Sequence, residues 1–229
     1  MSRRPSELST SHQLRPLRWP AGFAGLLRSD SGAVAFEFVI VVPMMLLILL
    51  GFTEMYLYMR AVSLVEHTAF TLADSIGQMP QIINDQSTAN ANNLGSIWNA
   101  AVLLAAPNTL QSQGGVIVTS ICDSTTTPCG TTPPLTQSMV AGKAKIYWQA
   151  QAPWTQTGMT STITANSILP ATWPFRNGDS AIVVEVFYRY TPFSMTSIFW
   201  TQAPGTQLIY ERVYVRQRYG QTLSLAAAQ

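Results

Sequence analysis

The chain has 229 residues, 47% of them hydrophobic and only 10% charged, with a formal net charge of +2. That balance gives no bulk electrostatic pull toward nucleic acid. Setting aside the N-terminal arm and the first apolar run leaves about 175 residues, enough for one domain with a core of its own.

Residues 1–32 form a basic arm. Arg3, Arg4, Arg15, Arg18 and Arg28 stand against Glu7 and Asp30, whereas beyond Gly32 basic and acidic side chains nearly cancel. The arm mixes Ser, Pro and Arg without periodicity, which predicts little fixed structure. It precedes residues 33–53, where Glu37 is the single ionisable side chain. A helix over that stretch is about 31 Å long, enough to cross the roughly 30 Å hydrocarbon core. Arginines on its N-terminal side place the arm in the cytoplasm and everything after Thr53 across the membrane. Ala33-Val34-Ala35 imitates a signal-peptidase site, but it precedes the apolar run that such a site should follow, so the run reads as an anchor. Pro43 inside it frees the carbonyl of Val39 and should bend the helix. One carboxylate within such a segment costs about 2.5–3.5 kcal/mol, so Glu37 needs a reason.

The helical pattern continues over residues 54–79. Met55, Tyr58, Val62, Val65, Ala69, Leu72 and Ile76 recur at steps of three and four, with Arg60, Glu66, His67 and Asp74 off the seam, until Gly77 and Pro80 stop it. A single helix from Ala33 to Ile76 is about 66 Å long. Its outer half either lies on its own domain or carries a head while the membrane half packs against sister helices.

Residues 80–229 predict an exported α/β head. Thr88 to Ala106 reads as a second helix, with Leu94, Ile97, Trp98, Ala101, Val102 and Ala105 on one face and Pro107 behind it. Four strand patterns follow: Val116–Cys122, then Ala144, Ile146, Trp148 and Ala150 alternating with polar residues. The last two are Ile182–Tyr190, whose other face includes Glu185 and Arg189, and Ile209–Arg216 with Glu211 breaking the apolar side. They predict an antiparallel sheet with one covered and one wetter face. The expected fold class is therefore α+β, a long N-terminal transmembrane helix joined to a small antiparallel head with a second helix.

Chemistry-bearing constellations are scarce. No Ser/His/Asp set, metal-ligand cluster or phosphate loop is legible, so no catalytic residue, metal or cofactor is expected. Glu66 and His67 read as solvated, and Asp123 and Asp179 as turn formers, as in Asn177-Gly178-Asp179. Trp98, Trp148, Trp154, Trp173 and Trp200 read as packing residues. Cys122 and Cys129 form a disulfide in an oxidising compartment, worth about 2.5 kcal/mol for so short a loop, or remain free thiols.

The element Gly32-Ala33-Val34-Ala35-Phe36-Glu37-Phe38, at the mouth of an apolar span behind a basic arm, resembles type IV pilin-like proteins. It is most similar to the TadE/TadG-like proteins of tight-adherence (Flp) pilus systems. The likeness is strong over residues 31–79 and weaker onward, through Gly178-Asp179 before a strand and Tyr190-Thr191-Pro192 after it. The resemblance implies processing between Gly32 and Ala33 by a prepilin peptidase, with Glu37 fifth and Phe38 sixth in the mature chain. It implies an assembly role for Glu37, Phe38 and Pro43. The new amine at Ala33 would pair with Glu37 within the chain or across subunits; the alternative is a carboxylate reaching the interface with no register role. Implied partners are the peptidase, other pilins, pilus-assembly membrane proteins and the lipid bilayer, with no nucleic acid. The implied location is the bacterial inner membrane, single-pass, with a periplasmic C-terminal domain and incorporation in an adhesive pilus open. The long arm and the small Ala33 depart from the pattern. They keep open an uncut single-span scaffold of a secretion machine; a membrane-tethered envelope enzyme is the reading from another class.

Overall fold

A computed structural model describes residues 30–125, 129, 140–219 and 222–228. The arginines of the basic arm, Arg3 to Arg28, lie outside the described residues. The chain divides into two compact units, Met1–Leu49 and Leu50–Gln229. Helix α1 (Asp30–Gly77) is one continuous element with Pro43 inside it. The remaining elements are β1 (Gln81–Asn84), α2 (Leu94–Leu104), a short α3 (Leu110–Gln113), β2 (Gly114–Asp123), β3 (Ala144–Gln151), β4 (Ser180–Tyr190), β5 (Gln207–Arg216) and β6 (Ser224–Ala227), with one 3-10 turn at Ser197–Phe199. The fold class is α+β, with an antiparallel sheet in the order β3-β2-β4-β5 and a separate parallel pair β1-β6.

In the second unit the outer half of α1 lies on its own domain. Val65, Ala69, Leu72 and Ile76 are buried together with Ala61 and Ala73 against α2 and one face of the sheet, where Val116, Val118, Ile182, Val184 and Val186 meet them. The seam sits slightly round the helix from the one the apolar residues draw: Met55 is exposed, and Glu54 takes the inward place. Helix α2 starts later than its pattern, because Ser87 and Asn90 fold residues 87–92 into side-chain-to-backbone turns. Its predicted face is kept, with Leu94, Ile97, Trp98 and Ala101 buried.

Both faces of the central strands are covered, so the wetter face expected for the sheet is confined to its outer strands. Every residue of β2 is buried, and β4 is buried from Ala181 to Tyr188. The connection after β3 supplies the cover. Ile163, Ile168, Leu169 and Phe175 pack on Ile121, Ala181 and Val183, and Met159 packs on Ile117 and Phe187. Strand β3 crosses from one core to the other by a bulge. Ile121 pairs with Ile146 but its neighbour Ser120 pairs with Trp148, so Ile146 joins the second face while Trp148 and Ala150 join the α1 side. The C-terminal segment is pinned at Leu223, whose carbonyl accepts from Ser120 Oγ at 2.9 Å and Trp148 Nε1 at 2.7 Å.

Candidate functional site

Candidate assembly residues all lie on α1. Val39-Ile40-Val41-Val42 is a β-branched run with poor helix propensity in water. In a bilayer the backbone must satisfy itself, which favours the helix regardless. The described residues contain one helix long and apolar enough to cross a membrane; its mean hydropathy reaches 2.6 over the most apolar window, none of it buried. That surface points to membrane anchoring. Gly32 and Ala33 fall in the first turn of α1, where the leading N–H groups have no intrahelical partner. Glu37 and Phe38 are one turn further on and exposed. Among the described residues Glu37 has no ion-pair partner. Pro43 has no N–H to give the carbonyl of Val39. Over residues 33–53 the helix is an apolar rod carrying one carboxylate, which suits helix-to-helix or helix-to-lipid contact.

Three polar clusters organise the head. The first was not singled out by sequence reasoning: Glu54, 3% exposed. Its Oε1 accepts from the Met195 N–H at 2.6 Å and the Thr196 N–H at 3.3 Å, while Oε2 accepts from the Thr196 hydroxyl. The carboxylate thereby fastens the β4–β5 connection to α1. A signal existed, since Glu54 is the single charged residue between Glu37 and Arg60.

The second cluster surrounds Glu185, fully buried on β4. It accepts from the Thr162 N–H at 2.9 Å, the Thr162 hydroxyl at 2.7 Å, the Tyr210 hydroxyl at 2.8 Å and the Ser161 hydroxyl. Burial, with the adjoining Glu185 carboxylate, pushes Tyr210 up to about 12 against a partial offset from Thr162. The three bonds from Ser161 and Thr162 hold the covering loop against the sheet, and the Tyr210 bond ties in β5.

The third is Asp123 at the end of β2. It accepts from the N–H groups of Lys143 at 2.7 Å, Gly178 at 3.1 Å and Thr125 at 3.2 Å, and from the Thr125 hydroxyl at 2.8 Å. Burial alone would raise its pKa, but these donors outweigh it and hold the carboxyl below its ordinary value. Gly178 takes the left-handed conformation at φ +81°, and Asp179 pairs with Arg216 at 3.2 Å. Cys122 and Cys129 are disulfide-bonded beside this corner, their Cα atoms 5.6 Å apart.

Among the described residues no three His, Cys, Asp or Glu side chains come together as a metal-binding set. Glu66 and His67 are exposed on α1. A cleft of about 240 Å³ near α2, lined by Gln86, Trp98, Asn99, Gln111 and Trp154, has no titratable side chain in its wall. All five tryptophans named from the sequence pack in the interior or against neighbours, Trp200 against the Phe193 ring in the β4–β5 connection while remaining 43% exposed.

Comparison with known proteins returns one finding. Residues 32–74 match the family described as TadE-like protein, which upholds the likeness drawn from Gly32–Phe38 and the apolar helix. The match lies within α1 and stops short of the sheet. No curated protein and no solved structure matches the chain.

Proposed function

With residues 32–74 forming a TadE-like segment, we propose that the chain is a minor pilin-like (pseudopilin) protein that assists assembly of a tight-adherence pilus. That family likeness supports involvement in pilus assembly, and the observation that carries the finer reading is Glu37, exposed and the single ionisable side chain of the apolar run 33–53 within the matched stretch. A prepilin peptidase cuts between Gly32 and Ala33, removing the basic arm and leaving an α-amino group that is largely charged at pH 7. Glu37 then meets the amine of its own or a neighbouring chain. Inside an apolar bundle an unpaired carboxylate is costly, so the pairing fixes axial register between subunits. The partners are other pilins and the assembly proteins of the bacterial inner membrane, with the head on the periplasmic side. The role is structural rather than enzymatic.

Mass measurement of the N-terminus in cells tests the cut: the mature chain should begin at Ala33, and Gly32→Ala should abolish processing. Persistence of the full-length polypeptide would leave a fixed tether instead. One observation favours that second reading, an uncut single-span scaffold: the bond between Gly32 and Ala33 lies inside α1, which begins at Asp30, so a protease must first unwind its opening turn. Glu37→Ala should leave insertion and cutting intact yet deplete the chain from purified pili. Normal incorporation of that variant would remove the register role.

A further inference from the structure

The loop that Glu54 holds exposes several large apolar side chains. Between Arg189 and Glu211 the sequence contains no Asp, Glu, Lys or Arg. Within that stretch Ile198 is 80% exposed, Phe199 61%, Met195 45% and Trp200 43%. Single exposed apolar residues are ordinary, but four large ones within six residues form a patch. The patch is held firmly. Phe193 sits at φ 59°, a costly left-handed conformation for a bulky side chain. The Ser197 N–H donates to the Phe193 carbonyl at 2.8 Å and the Phe199 N–H to that of Thr196 at 2.9 Å. The Phe193 ring meets Trp200 edge-on at 5.1 Å, and Glu54 binds the Met195 and Thr196 amides. A buried carboxylate and a strained aromatic together keep these apolar side chains facing outward.

Their place along the chain says what covers them. Glu54 follows Thr53, where the apolar run ends, and on the same helix Phe52, Met55, Tyr56 and Met59 are also exposed. A loop bonded to the Glu54 side chain therefore lies within about one helical turn, roughly 5 Å, of the level at which the span leaves the hydrocarbon. That level is where aromatic and apolar side chains settle in a bilayer.

We propose that the Met195–Trp200 loop seats in the membrane–water interface, with lipid as its occupant and Glu54 as the strut that sets its depth. The proposal rests on reading α1 as a membrane span. With no basic residue in the loop, insertion draws on apolar burial rather than attraction to anionic headgroups, so it does not weaken as salt rises.

The test uses the full chain in phosphatidylcholine–phosphatidylglycerol vesicles. A small fluorophore is placed in turn at Ile198→Cys, at Leu46→Cys within the span, and at Ala91→Cys in the exposed turn after β1. Iodide quenches from water and brominated phospholipid from the bilayer. Ile198 should lose most of the iodide quenching seen at Ala91 and gain lipid quenching, unchanged by salt, while Leu46 responds to lipid alone. If Leu46 is shielded but Ile198 behaves like Ala91, the loop proposal falls and the span stands. If Leu46 is open to iodide, both fall. Shielding of Ile198 from iodide without lipid quenching means that protein covers it, and overturns the proposal. Adding Glu54→Ala should return Ile198 toward iodide; an unchanged response would remove the strut role.

Discussion

Three glutamates carry most of the specific information at the scale of single residues, and they differ in how visible they are. Glu37 stands out in the sequence because everything around it is apolar. Glu54 closes the same apolar run but reads as an ordinary first charge beyond a span, since its partners, Met195 and Thr196, are supplied by a loop far along the chain. Glu185 reads as a wet-face residue because alternation cannot reveal that residues 159–175 fold over it. Replacing Glu54 by Ala leaves two backbone donors and a hydroxyl unmet. It should destabilise the folded head by about 1–3 kcal/mol or somewhat more, given the charge, measured by denaturant unfolding of the full chain in detergent; Glu54→Gln should cost less. Tyr210 gives a pH signature. Its pKa rises from 10.0 to about 12 on folding, so the folded state retains a proton that the unfolded chain releases. Its stabilisation is complete below pH 10 and is lost as pH climbs through 12. Tyr210→Phe should flatten that alkaline decline in melting temperature, and a decline identical to the parent's would assign it elsewhere. Asp123 acts at the opposite end: its depressed pKa contributes stability above the ordinary value of 3.8 that disappears as pH falls through the lowered one. Asp123→Asn should therefore blunt the acid-side loss of stability.

Among the elements, α1 and the four sheet strands are legible because each is long and strongly patterned. Val65, Ala69, Leu72 and Ile76 sit where a step of three and four puts them. The rotation of the seam at its membrane-proximal end was not legible, because a buried glutamate counts as polar in any apolar pattern while the exposed Met55 counts as apolar. Strands β1 and β6 have four residues each and pair with one another, too short for a period to register. In β3 the in-out alternation is correctly read, yet the bulge sends its two halves to opposite cores, which only the pairing with Ser120 and Ile121 reveals. Leu72→Ala should cost about 2–5 kcal/mol through the cavity it opens between α1 and the sheet, read from the same unfolding curves. A loss well under this would mean that the outer half of α1 is not held by its own domain.

For the molecule as a whole, the sequence predicts an apolar helix leading into a head but does not reveal how the head closes on itself. Closure comes from the chain's far end. Gln81 pairs with Ser224 and Asn84 with Ala227, the Arg218 N–H donates to the Gly77 carbonyl at 3.0 Å, and Arg218 forms an ion pair with Asp74. The stretch just past α1 is thus completed by residues made much later in the chain. Pairings so remote in sequence are slow to form because loop-closure entropy is lost before any contact is gained. Until those residues arrive, β1 lacks its β6 partner and the core beneath Leu223 is uncovered. Maturation of the head is consequently timed by the arrival of residues 218–227, and substitutions that loosen their pairing with β1 would burden the step on which the others wait.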